Sequence, residues 1–226
     1  MSEQELQVGL PEPQFVDNPE NRCPVVLLLD TSGSMSGQPI QELNKGIQRF
    51  QASVVEDELA TLRVEVAVVK FGGTVSLLQE FVTVDNFNPP ELTATGNTPM
   101  GAAIQKGLDL LEDRKAVYKS NGILYYRPWL FLITDGAPTD PWKQAAQRVH
   151  TEEDQKKLLF FAVGVQGANM KVLKQIAPAE RPPLLLNELN FEELFLWLSA
   201  SLQRVSSGQV GEMRQLPAVG WGEVAT

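Results

Sequence analysis

Two short apolar runs constrain this chain more than anything else in it, because each stops at an aspartate. Residues 25–29 (VVLLL) lead into Asp30 and the turn Thr31-Ser32-Gly33-Ser34-Met35, and residues 129–134 (WLFLIT) lead into Asp135-Gly136. A short run with no polar alternation suits a strand buried on both faces, which is the situation of central strands in a parallel sheet covered by helices. Such strands need crossover helices between them. The intervening sequence supplies helix patterns: Ile40, Leu43, Ile47, Phe50 and Val54 recur at helical spacing behind Pro39, which is expected at the first helical position.

The rest of the chain keeps this rhythm. Residues 63–71 (RVEVAVVKF) alternate, Gly72-Gly73 punctuates, and 74–84 resume a strand-like pattern, so the pair reads as a hairpin with one antiparallel strand at a sheet edge. Residues 85–97, with Pro89-Pro90 and Gly96, form a loop; Thr98-Pro99 opens a second helix with Ile104, Leu108 and Leu111 on its core face. Asp140-Pro141 reads as cap and first residue of a third helix. A strand at 158–165, a helix at 170–176, a strand at 184–186 and a helix at 191–205 follow, the last with Asn190 as cap and Glu193 at the capping-box position. Alternating strands and helices predict a three-layer α/β domain with a mostly parallel central sheet flanked by helices. Its expected bounds are 23–205, with residues 1–22 and 206–226 as tails. Trp221 lies in the second tail and is expected to dock on its own chain, since an exposed Trp is costly in solubility.

Charge and cysteine content narrow the function classes. With 19 basic and 28 acidic residues the net charge is -9, and no Lys/Arg run stands out, so nucleic acid and anionic membrane surfaces are not expected partners. Cys23 is the only cysteine, which rules out an internal disulfide and a zinc site of paired Cys/His spacing. The N-terminus MSEQELQVGL lacks the basic and apolar regions of a secretory signal, and the apolar runs fall short of the roughly 18 residues of a spanning helix. These features together give the expectation of a cytoplasmic protein.

In an open α/β sheet, ligands sit beyond the carboxyl ends of the strands where strand order reverses. Asp30 and Asp135 end the two most buried strands, so their carboxylates are expected close together, where they repel and lose hydration unless a cation lies between them. Ser32 and Ser34 add hydroxyls at alternate positions of the turn after Asp30, and Thr98 adds another. Hard oxygen donors with only two carboxylates suit Mg²⁺ or Mn²⁺; Ca²⁺ is a further candidate, although its cage wants more carboxylates. Each feature also has an ordinary reading as turn, N-cap or Asp-Gly bend, and it is their co-occurrence that points to a metal. Met35 is expected to pack beneath the loop.

Catalytic readings have weaker support. His150 is the only histidine, is expected at the surface of the third helix, and no GxSxG is present for a serine hydrolase. An aspartyl-phosphate phosphohydrolase with Asp30 as nucleophile is the alternative in a different class, but such enzymes place a second Asp two residues on, where this chain has Ser32. Neither GxxxxGK[ST] nor GxGxxG is present.

DTSGSM after one buried strand, TGNTPMG before a helix and ITDGAPTD after another strand together resemble the three parts of the metal-ion-dependent adhesion site (MIDAS) of von Willebrand factor A (VWA) domains. The resemblance spans roughly residues 24–205. It implies a Rossmann-like fold with a six-stranded sheet in the order 3-2-1-4-5-6, strand 3 antiparallel at the edge. It also implies that Ser32, Ser34 and Thr98 bind a divalent cation directly or nearly so, that Asp30 and Asp135 hold it directly or through water, and that a partner's carboxylate fills an open position. The words LLLDTSGSM, QPIQELN and LITDGAPTDPW are most similar to bacterial cytoplasmic VWA proteins of tellurium-resistance and stress operons. That likeness implies a non-enzymatic interaction module in a stress or defence setting, with a PP2C-type phosphatase, a protein kinase or TerD-like proteins as partners. A third reading is a metal-independent scaffold that binds through the Trp221 tail.

Overall fold

The computed structural model describes residues 15–224. Its centre is β1 (Cys23–Asp30), all of whose residues are buried. β1 pairs in parallel with β2 (Val64–Gly72) on one side and β4 (Trp129–Thr134) on the other. The hairpin partner β3 (Thr74–Thr83) runs antiparallel at one edge, while β5 (Leu159–Gly164) and β6 (Leu184–Leu186) continue the parallel array. Side-chain alternation along β1 divides the core: Val25, Leu27 and Leu29 face α1 (Gln38–Val54) and α6 (Phe191–Ser206), whereas Val26 and Leu28 face α3 (Met100–Ser120), α4 (Lys143–Asp154) and α5 (Met170–Ile176). Strand-like apolar runs are thus consumed on both faces, as a doubly covered sheet requires.

Among the described residues the sheet has seven strands, in the order β3-β2-β1-β4-β5-β6-β7. The 3-2-1-4-5-6 core of the expectation stands, and a strand from the C-terminal segment, β7 (Gly222–Val224), pairs antiparallel with β6. Residues beyond 205 therefore do not simply trail from the domain. Trp221 is 2 % exposed and packs edge-on against Trp197, with ring centroids 5.6 Å apart. Trp197 Nε1 in turn donates to the Pro217 carbonyl at 2.9 Å. The indole is buried on its own chain, which removes it as a free adhesive group. At the other end Arg22 is buried, so packing also begins before residue 23. Residues 1–14 and 225–226 of the expected tails lie outside the described residues.

The amino end of the sheet holds two buried carboxylates, each gripped by the chain's own cations. Glu65, on β2, accepts from Arg22 Nε at 3.0 Å and from Arg114 Nε and Nη2 at 2.8 Å, and also takes the Tyr118 hydroxyl. Glu153, at the end of α4, accepts from Arg127, Arg181 and the Phe160 N–H. Residues far apart in sequence are tied here, and pairing on this scale is what lets a carboxylate stay buried.

Several local expectations change. α1 begins at Gln38, one residue before Pro39, and α2 (Glu58–Arg63) is an additional short helix capped by Asp57, whose side chain accepts from the Ala60 N–H. α4 starts at Lys143 without a side-chain cap, because Asp140 caps a different helix: its carboxylate accepts from the Gly101 and Ala102 N–H groups of α3 at 2.9 and 2.8 Å. Gly101 makes this approach feasible, since a Cβ there would lie 2.4 Å from the Pro141 carbonyl oxygen. Thr98 is accordingly not the cap of α3, and Asn190 begins α6 without a side-chain cap bond. His150 is half-buried rather than at the surface.

Candidate metal centre

The carboxyl ends of β1 and β4 meet at the site. Backbone bonds clip the surrounding loops together: Thr31 N–H to Phe71 O at 2.9 Å, Gly33 N–H to Gly96 O at 2.9 Å, Thr95 N–H to Thr31 O at 2.7 Å and Gly73 N–H to Asn97 O at 2.8 Å. Gly96 has φ 75°, and a Cβ on it would lie 2.5 Å from Gly73 Cα. Only glycine permits that backbone path and contact together.

All of the residues singled out for metal binding converge here. Asp30 is fully buried; its Oδ1 accepts from the Ser32 N–H at 2.8 Å and its Oδ2 from the Thr134 hydroxyl. The hydroxyls of Ser32 and Ser34 are 3.1 Å apart, and Ser34 donates to Asp135 Oδ1 at 2.8 Å. Thr98 faces the same spot: a Cβ placed on Gly136 would lie 3.2 Å from Thr98 Oγ1 and 3.7 Å from Asp30 Oδ2. Met35 is buried beneath the loop in the core between sheet, α1 and α6.

Thr98 carries the most informative detail. Its main chain is fixed by Thr139, whose hydroxyl accepts the Thr98 N–H at 3.1 Å and whose N–H donates to the Thr98 carbonyl at 2.9 Å. Because Asp140 occupies the N–H groups of α3, the Thr98 side chain is released from capping. The residue is 6 % exposed, and among the described residues its hydroxyl has no hydrogen-bond partner.

Electrostatics point the same way. Burial pushes the carboxyl of Asp30 above the usual range, with the Asp135 charge adding to the effect; burial likewise raises Asp135. Among the described residues neither carboxylate pairs with Lys, Arg or His. No group of three or more His, Cys, Asp or Glu suited to a metal occurs among them either, so any cation must rely on hydroxyl oxygens beside the two carboxylates. That donor set fits a small hard dication and leaves it short of anionic ligands.

Thr134, Thr139 and Asp140 were not among the predicted site residues. Thr134 immediately precedes Asp135, but its hydroxyl contact with Asp30 spans two strands distant in sequence. The second Thr-Asp pair of ITDGAPTD was the available signal for the other two.

The family model for the von Willebrand factor type A domain matches residues 25–195. No match is found among the curated proteins compared. Solved structures share the fold: proximal thread matrix protein 1 from the mussel byssus, with a zinc-occupied MIDAS motif, has a TM-score of 0.54 at 18% identity, covering 81% of this chain and 48% of that one. A von Willebrand factor type A protein from Catenulispora acidiphila gives 0.58 at 17%, covering 81% and 43%. The manganese-loaded TRAP protein of Plasmodium vivax gives 0.53 at 22%, covering 79% and 73%. The chain thus spans less than half the length of the first two. Among the described residues no helix is long and apolar enough to cross a membrane. With its fold, its three motifs and most of its length accounted for in this way, the chain belongs to the von Willebrand factor type A domain family.

Proposed function

We propose that the protein is a non-enzymatic, metal-dependent protein-interaction module. The observation that carries this reading is the Thr98 hydroxyl, which makes no hydrogen bond among the described residues and faces two carboxylates that no Lys, Arg or His among them pairs with. Ser32, Ser34 and Thr98 would hold a divalent cation with their hydroxyls, and Asp30 and Asp135 directly or through water. When bound, the ion supplies an electrophilic coordination position for a carboxylate oxygen of a partner protein. The chain's own part is positional: Thr134 and the Ser32 N–H orient Asp30, and Thr139 and Asp140 keep Thr98 turned toward the site. Mg²⁺ is the proposed ion, with Mn²⁺ or Ca²⁺ as substitutes; the zinc and manganese of the byssus and TRAP structures support a divalent ion without choosing among these.

The setting we propose is the bacterial cytoplasm, in a tellurite-resistance-like stress response or a defence system. A PP2C-type phosphatase, a protein kinase or TerD-like proteins are the proposed partners. This rests on the resemblance of LLLDTSGSM and LITDGAPTDPW to that group. The test is affinity capture from native lysate by wild-type and Ser34→Ala protein, each in Mg²⁺ and in EDTA, with mass-spectrometric identification. A partner retained only by wild type in Mg²⁺ is the expected result. Identical partners in all four conditions would refute metal-bridged binding.

A further inference from the structure

The metal-centre reading specifies only a carboxylate on the partner, and the loops that carboxylate must approach carry acids but no bases; Lys143 and Lys171 follow them in sequence, in the first turns of α4 and α5. Segments 31–37, 72–74, 94–99, 135–142, 165–169 and 187–190 close the carboxyl end of the sheet. None contains Lys or Arg, although the chain has 19 of them. Their acids are Asp135, Asp140 and Glu188. Asp135 belongs to the metal centre and Asp140 is occupied by α3. Glu188 is exposed, and among the described residues it makes no ion pair.

Beside the metal centre lies a polar groove of about 740 Å³, lined by Gln38, Glu42, Gln166, Asn187, Glu188 and Asn190. Two of its walls continue directly from the site. Gln38 opens α1 just after the loop that carries Ser32 and Ser34, and Gln166 precedes Gly167, where a Cβ would lie 3.4 Å from the Asp135 carbonyl oxygen. Four primary amides, each both donor and acceptor, match the alternating N–H and C=O groups of an extended peptide. The remaining polar lining is anionic. Glu42 contacts Lys45 at 2.8 Å, but that lysine is 68 % exposed, and an exposed pair of this kind holds weakly and exchanges readily.

We infer that the partner segment bound here carries a Lys or Arg close in sequence to its metal-seeking Asp or Glu, with its main chain in the amide-lined groove and its cation against Glu188 and Glu42. This rests on the metal-centre reading and narrows it. A carboxylate arriving without a neighbouring cation meets a chain of net charge -9 at a face with no positive side chain in its loops, and that field opposes encounter. A flanking cation reverses the long-range sign while leaving the carboxylate free for the metal, so it sets both on-rate and selectivity. An acidic stretch, by contrast, is selected against.

A displayed random-peptide library, panned on the immobilised full chain in Mg²⁺, eluted with EDTA and sequenced, tests this. The wild-type eluate is expected to be enriched in Asp or Glu and, several-fold over input, in Lys or Arg nearby. A Glu42→Gln/Glu188→Gln variant, altered only at partly exposed surface positions, should keep the acidic enrichment and lose the basic one. Acidic enrichment without Lys or Arg, or basic enrichment unchanged in the double variant, overturns the groove assignment while the metal reading stands. If the wild type yields no EDTA-eluted pool, the metal reading itself fails and takes this inference with it.

Discussion

The two ends of the central sheet treat buried carboxylates in opposite ways. At the amino end Glu65 and Glu153 are each met by two arginines: Arg22 and Arg114 for one, Arg127 and Arg181 for the other. At the carboxyl end Asp30 and Asp135 sit close enough for the charge of Asp135 to raise the Asp30 carboxyl, and the loops around them contain no Lys or Arg. The same chain that neutralises acid at one end withholds neutralisation at the other. Burying a charge without a counter-charge is costly, so the difference separates an end where the chain pairs its own buried acids from one where it leaves them without a cation among the described residues, as the proposed metal site would require.

This contrast can be broken at either end. The largest effect is expected at the amino end: Glu65→Ala leaves Arg22, 2 % exposed, without its carboxylate and should cost about 3–5 kcal/mol. Urea denaturation would measure the loss, and metal binding by the folded fraction should stay unchanged. Leu28→Ala gives an apolar reference between the ends. Leu28 is fully buried in the central strand, and its loss should cost roughly 2–5 kcal/mol through the cavity left behind; a negligible cost would contradict the packing described for β1.

The carboxyl end should respond with the opposite sign. Asp135→Asn removes one of two carboxylates whose ionised forms burial disfavours, so in EDTA the melting temperature should hold level or rise, by up to roughly 2–4 °C. In Mg²⁺ the wild type alone should gain stability, by ligand linkage. A marked loss of stability in EDTA would mean that the carboxylate pair serves the fold. The smallest effect concerns the seal of the amino end: Cys23 opens β1 fully buried, and burial pushes its thiol up to about 12. An aromatic disulfide reagent should therefore leave native protein unlabelled at neutral pH and react on denaturation; rapid native labelling would show that this end opens.

What could be read from the sequence follows the range of the forces involved. The buried strands, the α1 and α6 faces and the edge hairpin were legible because periodicity is local; the candidate metal residues stood out because Asp30 and Asp135 end legible strands, Ser32 and Ser34 follow the first of them, and Thr98 precedes a helix pattern. The pairing of Glu65 with Arg22 and Arg114 was not, since nothing in RVEVAVVKF announces an arginine arriving from α3. Asp140 shows the same limit more sharply: as the residue before Pro141 it has the form of a local cap, yet the loop folds back and it caps α3 instead. That exchange frees Thr98, so a misread cap concealed the strongest structural sign of the site. β7 escaped for a related reason. Gly222–Val224 is too short to show alternation, and its pairing depends on where Trp221 docks.

The proposed function requires the carboxyl end to hold a divalent cation through hydroxyls as well as carboxylates. Titration of the metal-free protein with Mn²⁺, with free ion followed by electron paramagnetic resonance, tests it most directly when wild type is compared with Thr98→Ala and Ser34→Ala. One Mn²⁺ per wild-type chain is expected, displaced by excess Mg²⁺, with affinity lowered at least tenfold in each variant while both remain folded. No saturable wild-type binding, or binding unaffected by both substitutions, would contradict it.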